Sequence, residues 1–172
     1  VTELSEALFI GGRSGVGKTT VAYELHSQLS AQDLRHCLIE GDNLDMAHPA
    51  PWVHGLAEKN LAAMWKNYRE LGYRRLIYTN TVSVRQTQAL ATAMGDDPGI
   101  TGVLLMAEDL TTYNRLAGRE SGLELDSHYG RSQSAARELD LLTPPWVHRI
   151  KTDGRPPADI AREILLLTGW QH

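Results

Sequence analysis

The chain has 172 residues, 42% hydrophobic and 22% charged, which fits one globular domain over 1–172 and excludes the low-hydrophobicity, high-charge profile of disorder. Seventeen basic against 21 acidic residues leave a net charge of −4, without the positive balance or tail of a nucleic-acid binder. No run approaches the roughly 18 apolar residues of a membrane span, so neither nucleic acid nor membrane is an expected partner.

The segment Val1–Gly12 has no basic n-region and leads straight into a strand. It predicts no signal peptide, and cytoplasmic residence is the expectation. The lone Cys37 excludes an internal disulfide. Apolar runs predict strands at Ala7–Ile10, Cys37–Ile39, Arg75–Thr79, Val103–Met106 and Val147–Ile150. Between them, Lys18–Ser30, Leu56–Leu71, Ser83–Met94 and Ser132–Leu142 carry helical periodicity. Gly72 and Gly95 act as stops, and a last helix starts near Pro157 and ends at Gly169. Strands alternating with helices of this length predict an α/β three-layer sandwich around a parallel sheet.

Gly12-Arg13-Ser14-Gly15-Val16-Gly17-Lys18-Thr19 matches the phosphate-binding loop G-x-x-x-x-G-K-[ST] in full, between a strand and a helix as that motif requires. The glycines let successive backbone N–H groups surround an anion, and the helix N-terminus adds donors. Lys18 is placed to reach the β- and γ-phosphates, and the Thr19 hydroxyl to meet Mg²⁺; Thr20 continues the first turn. ATPases, GTPases and small-molecule kinases all use this loop. The guanine-reading Asn-Lys-x-Asp of GTP switches is absent, and Asp96-Asp97-Pro98-Gly99 precedes a strand instead of following one.

The third strand ends without a carboxylate, at Asn80. The acid stands instead after the second strand, in Glu40-Gly41-Asp42-Asn43. Ligands of parallel sheets bind at the carboxyl ends of strands. Asp42 there can accept a proton from a substrate hydroxyl or orient Mg²⁺ through water; its structural alternative is a turn cap. Asp45 is a weaker acidic candidate.

Gly12–Thr20 together with Glu40-Gly41-Asp42-Asn43 resembles the small P-loop kinases that phosphorylate a hydroxyl on a small molecule. The pattern is most similar to adenylylsulfate kinase; shikimate kinase, gluconate kinase and chloramphenicol phosphotransferase share the wider plan. The resemblance implies a five-stranded parallel sheet in the order 2-3-1-4-5, a lid after the fourth strand, ATP and Mg²⁺ as cofactors, and a homodimer as a state to test. It implies that Asp42 and Asn43 face the acceptor, with Asn80 and Arg85 after the third strand. Adenylylsulfate kinase has a serine-proline at that point, and Asn80-Thr81-Val82-Ser83-Val84-Arg85 departs from it.

The lid is expected at about 115–131: a short helix, a flexible polar span over Glu120–Tyr129, and a second helix near Ser132. Arg115 and Arg119, four apart, share a face and are placed to contact phosphate or adenine, or else to pair on the surface with Glu120 and Asp109. Arg119 is the candidate stabiliser of charge on the transferred group, and Arg131 a weaker contact. Arg155-Pro156 after the fifth strand is a candidate adenine wall or a plain turn. Trp52, in the irregular Asn43–Trp52 segment, is a candidate acceptor contact or a loop anchor. The expected activity is ATP-dependent phosphotransfer to a small-molecule hydroxyl. A nucleotide or nucleoside kinase and a nucleotide-gated binding module or regulatory NTPase are the alternatives.

Overall fold

The computed structural model describes residues 4–171; residues 1–3 of the start read above for a leader, and His172, lie outside them. Five strands form one parallel sheet: β1 (Glu6–Gly11), β2 (Cys37–Glu40), β3 (Arg75–Thr79), β4 (Gly99–Met106) and β5 (His148–Lys151). Their order is β2-β3-β1-β4-β5, the order expected of a P-loop α/β sandwich. Side chains of β1 alternate across the sheet. Leu8 and Ile10 pack under α1 (Lys18–Ala31) and α6 (Pro157–Thr168), while Ala7 and Phe9 pack under α2 (Leu56–Glu70) and α3 (Thr87–Met94). Burial on both faces is why β1 reads as a continuous apolar run. No helix among the described residues is long and apolar enough to cross a membrane.

Three elements differ from the sequence expectation. β4 begins at Gly99, four residues before Val103, because Gly99–Gly102 pair in register with Glu6–Phe9 despite their weak apolar pattern. Gly102 is small for a reason: a Cβ there would meet the Trp146 ring at 2.9 Å. β5 begins at His148, one residue later than expected, and Val147 packs beside Leu104 and Leu139 instead. The segment from Ser83 opens with a 3-10 turn, Ser83–Arg85, and becomes α-helical only from Thr87.

The largest difference lies in the expected lid. After α4 (Asp109–Ala117), a single helix α5 runs from Gly122 to Leu142, so most of the span expected to be flexible is helical. Leu125, Ser132 and Leu139 recur every seven residues on its buried side. Gly130 lies exposed within it, where glycine weakens a helix by about 1 kcal/mol without ending it.

Asp96, in the turn before β4, ties the distant start of β1 to α2. It accepts hydrogen bonds from Ser5 Oγ (2.5 Å), from Trp65 Nε1 (3.1 Å) and from Arg69.

Candidate active site

The loop between β1 and α1 lies at the carboxyl edge of the sheet. Gly12 has φ 150°, and a Cβ there would sit 2.8 Å from the Leu105 carbonyl oxygen. Gly17, φ 103°, turns the chain into α1 with open space on its Cα. The loop closes through Val16 N–H to the Arg13 carbonyl at 3.2 Å. Lys18 curls back over it, donating from Nζ to the Gly12 (2.7 Å) and Arg13 (3.1 Å) carbonyls. Burial lowers the Lys18 pKa to about 8; the Asp42 charge opposes the fall and Arg119 adds to it.

Three adjoining cavities surround this loop. The middle one, about 190 Å³, is walled by Ser14, Gly15, Gly17–Thr20, Asp42, Arg119 and His128. A second, about 280 Å³, lies on the outer side of Gly15 and Val16 against Arg115, Arg119, Thr152 and Arg155. The third, about 380 Å³, lies between the end of β2, the start of α2 and the segment after β3, with Asp42, Trp52 and Asn80 among its walls. Arg119 belongs to the first and second cavities and Asp42 to the first and third. The fold therefore brings Ser14–Thr20, Asp42, Trp52, Asn80, Arg115, Arg119 and Arg155 to three cavities that share walls. Burial raises the Asp42 carboxyl above its ordinary value; Lys18 opposes this shift, and Asp45 and Glu40 add to it.

Other expected site residues stand elsewhere. The Arg13 side chain is buried and turned away from the cavities. It donates to Ser132 Oγ at 2.9 Å, pairs with Asp109, and lies 5.9 Å from the Tyr129 ring centre. Its hydrogen bond, with one from Gln133, holds the Asp109 carboxyl below the usual carboxylate range. Arg85 pairs with Glu138 on α5 at 3.3 Å and lines none of the three cavities. Arg131 is exposed and donates to Ser127 at 2.6 Å. Asn43 turns to Glu40 and a groove on the opposite side of β2. Pro156 caps α6, and it is Pro157 that reaches the second cavity. Arg115 reaches its cavity with its donors committed, to the Gly15 (3.3 Å) and Val16 (3.0 Å) carbonyls and to Thr152 Oγ1 (3.1 Å). A fourth bond, from the other terminal nitrogen to the Thr152 carbonyl (3.3 Å), fixes the guanidinium at the cavity wall, and a planar guanidinium suits a planar ring.

Sequence reasoning missed Tyr78, Glu58 and His128. Tyr78 sits inside an apolar strand and reads as core. Its ring lies against Gly41, where a Cβ would fall 2.4 Å from the ring edge and hydroxyl. Gly41→Ala is therefore expected to destabilise the fold by about 1–3 kcal/mol, seen as a melting temperature several degrees lower, while moving Asp42 out of place. An unchanged melting curve would show that the contact yields freely. His128 is held by Glu120 at 2.9 Å, on α5 where a polar loop was expected.

The family model for adenylylsulphate kinase matches residues 4–51, which hold β1, the loop, α1, β2 and Asp42. No curated protein matches the chain in sequence. Solved structures match over nearly its whole length. A tunicamycin resistance protein from Deinococcus radiodurans is 21% identical, with 96% of each chain covered and a TM-score of 0.67. The APS kinase of Mycobacterium tuberculosis, in complex with AMPPNP and APS, is 16% identical, with 95% of this chain and 97% of that chain covered and a TM-score of 0.61. Shikimate kinase from Acinetobacter baumannii, in complex with shikimate, is 18% identical, covers 95% and 92%, and has a TM-score of 0.59. At these identities the likeness is one of fold alone, a P-loop α/β sandwich.

Proposed function

We propose that the chain is an ATP-dependent phosphotransferase that moves the γ-phosphoryl group to a hydroxyl of a small molecule. The observation that carries this reading is the placement of Asp42, in the wall shared by the loop cavity and the 380 Å³ cavity. A hydroxyl in the larger cavity can thus meet a phosphoryl group in the smaller one beside a carboxylate. In the reaction the acceptor oxygen bonds to the γ-phosphorus, the bond to the β,γ-bridging oxygen breaks, and ADP leaves. The hydroxyl proton passes to Asp42.

The loop amides and Lys18 hold the triphosphate, and Arg119 neutralises charge on the transferred group. The flat faces of Arg115 and the chain around Pro157 receive the adenine. The Thr19 hydroxyl offers an oxygen donor on the loop cavity, the donor type Mg²⁺ takes when phosphates and waters complete its shell. Bound there, Mg²⁺ would supply charge neutralisation on the phosphates.

Release of ADP from Mg-ATP, followed against a panel of hydroxylated acceptors with product mass, tests the proposal. An acceptor-dependent rate with a gain of one phosphoryl group is expected. ADP release indifferent to every acceptor would overturn it in favour of a slow NTPase.

A further inference from the structure

The 380 Å³ cavity has a one-sided charge. Three carboxylates line it, Asp42 and Asp45 beyond β2 and Glu58 on the first turn of α2, and among the described residues no lysine, arginine or histidine does. Two cations of the site are engaged elsewhere: Lys18 donates to the Gly12 carbonyl on the loop side of Asp42, and Arg85 is paired with Glu138. Trp52 stands at the mouth, 75% exposed.

A second observation points to a ligand. Tyr78 contributes to the same wall, is 0% exposed, and its buried hydroxyl has no hydrogen-bond partner. A buried hydroxyl left unpaired costs about 1–3 kcal/mol, and a polar guest in the cavity would remove that cost. The three acids do not converge on a point: among the described residues no group of three His, Cys, Asp or Glu side chains could hold a metal ion. They ring a space of molecular size instead, so an extended organic cation meets them better than an inorganic one.

We propose that the acceptor is a cation: a hydroxylated small molecule carrying a protonated amine, the amine held among Asp45, Glu58 and the Trp52 ring, the hydroxyl beside Asp42. The assignment of the hydroxyl rests on the phosphotransfer reading; the assignment of the charge rests on the cavity alone. Carboxylates give an ammonium charge-assisted hydrogen bonds, and an indole face adds cation–π attraction. An anionic acceptor would enter against three like charges with no donor of opposite sign to receive it.

Glucamine, sorbitol and gluconate test this as one six-carbon chain ending in an ammonium, a hydroxyl or a carboxylate. Binding to the nucleotide-free protein is followed at neutral pH by the Trp52 indole resonance, assigned with Trp52→Phe. Glucamine is expected to bind at least about tenfold more tightly than sorbitol, and gluconate most weakly. The double variant Asp45→Asn/Glu58→Gln, with Asp42 intact, is expected to bring glucamine to within about threefold of sorbitol, since only the uncompensated charge is removed. Gluconate binding as tightly as glucamine, or none of the three binding, overturns the proposal. The readout needs no turnover. Preference for the amine without phosphoryl transfer to any hydroxyl supports the cationic acceptor and counts against the kinase reading. Transfer onto gluconate without preference for the amine overturns the cationic acceptor and supports the kinase reading.

Discussion

Asp42→Asn is expected to lower acceptor-dependent turnover by about 10²–10⁴-fold, the range for loss of a positioned general base, while changing ATP affinity by less than about threefold. Asparagine keeps the shape of the side chain and loses the capacity to take a proton. The wild-type carboxyl is raised by burial against the pull of Lys18, which moves it toward the pH at which it would work. The sign of the pH dependence follows. The base form is lost as pH falls through the raised pKa, so kcat/KM should decline on the acid side at a pH above the ordinary Asp value of 3.8, and the variant should lack that limb. Steady-state kinetics across pH, with calorimetric titration of ATP, measures both parts. Turnover unchanged by the substitution would exclude Asp42 as the base.

Lys18→Ala is expected to reduce kcat by about 10²–10³-fold, as for loss of one preorganised charged donor, to weaken ATP binding, and to leave the melting temperature unchanged or higher. The last expectation comes from burial. The ammonium is desolvated in the ligand-free protein and satisfied only by the Gly12 and Arg13 carbonyls, so its removal relieves a penalty. A second signature is specific to Lys18. With a pKa of about 8 it is half neutral at pH 8. A triphosphate beside it favours the charged form, so binding ATP at pH 8 should draw in about half a proton, and affinity should fall as pH rises through that value. Calorimetry in two buffers of different ionisation enthalpy reads the uptake. The wild-type protein should show it and Lys18→Ala should not; no uptake by the wild-type protein would show either that Lys18 is already charged at pH 8 or that it stands away from the phosphates, and unchanged ATP affinity in Lys18→Ala would single out the second.

What could be read from the chain alone was local. The phosphate loop is eight consecutive residues whose glycines and lysine are dictated by backbone geometry, and both sides of the sheet are written in the unbroken apolar runs of β1 and β3. The second half of α5 was legible as Ser132–Leu142, but its first half was hidden because the inward stripe is sparse, one residue every seven, and because Gly122 and Gly130 suit bends. Arg13 looked like a phosphate ligand because it lies in the loop. Its partners, Asp109 and Ser132, are about a hundred residues away and nothing local announces them. The acidic cavity was invisible for the same reason. Asp42 stands in a motif and Asp45 close beside it, but Glu58 and Tyr78 come from α2 and β3 and carry none; only the fold sets all four around one space.

The connection from Asn43 to Gly55 supplies Asp45 and Trp52 to that cavity but contributes only Leu44 to the buried core. The residues that hold the sheet and the phosphate loop lie elsewhere. This part of the cavity wall is therefore set by a stretch on which the core hardly depends. Under the phosphotransfer reading, substitutions or insertions over 45–54 can change which guest the cavity receives without first having to re-establish a folded protein, which makes this connection the natural place for evolution, or for an engineer, to vary the acceptor.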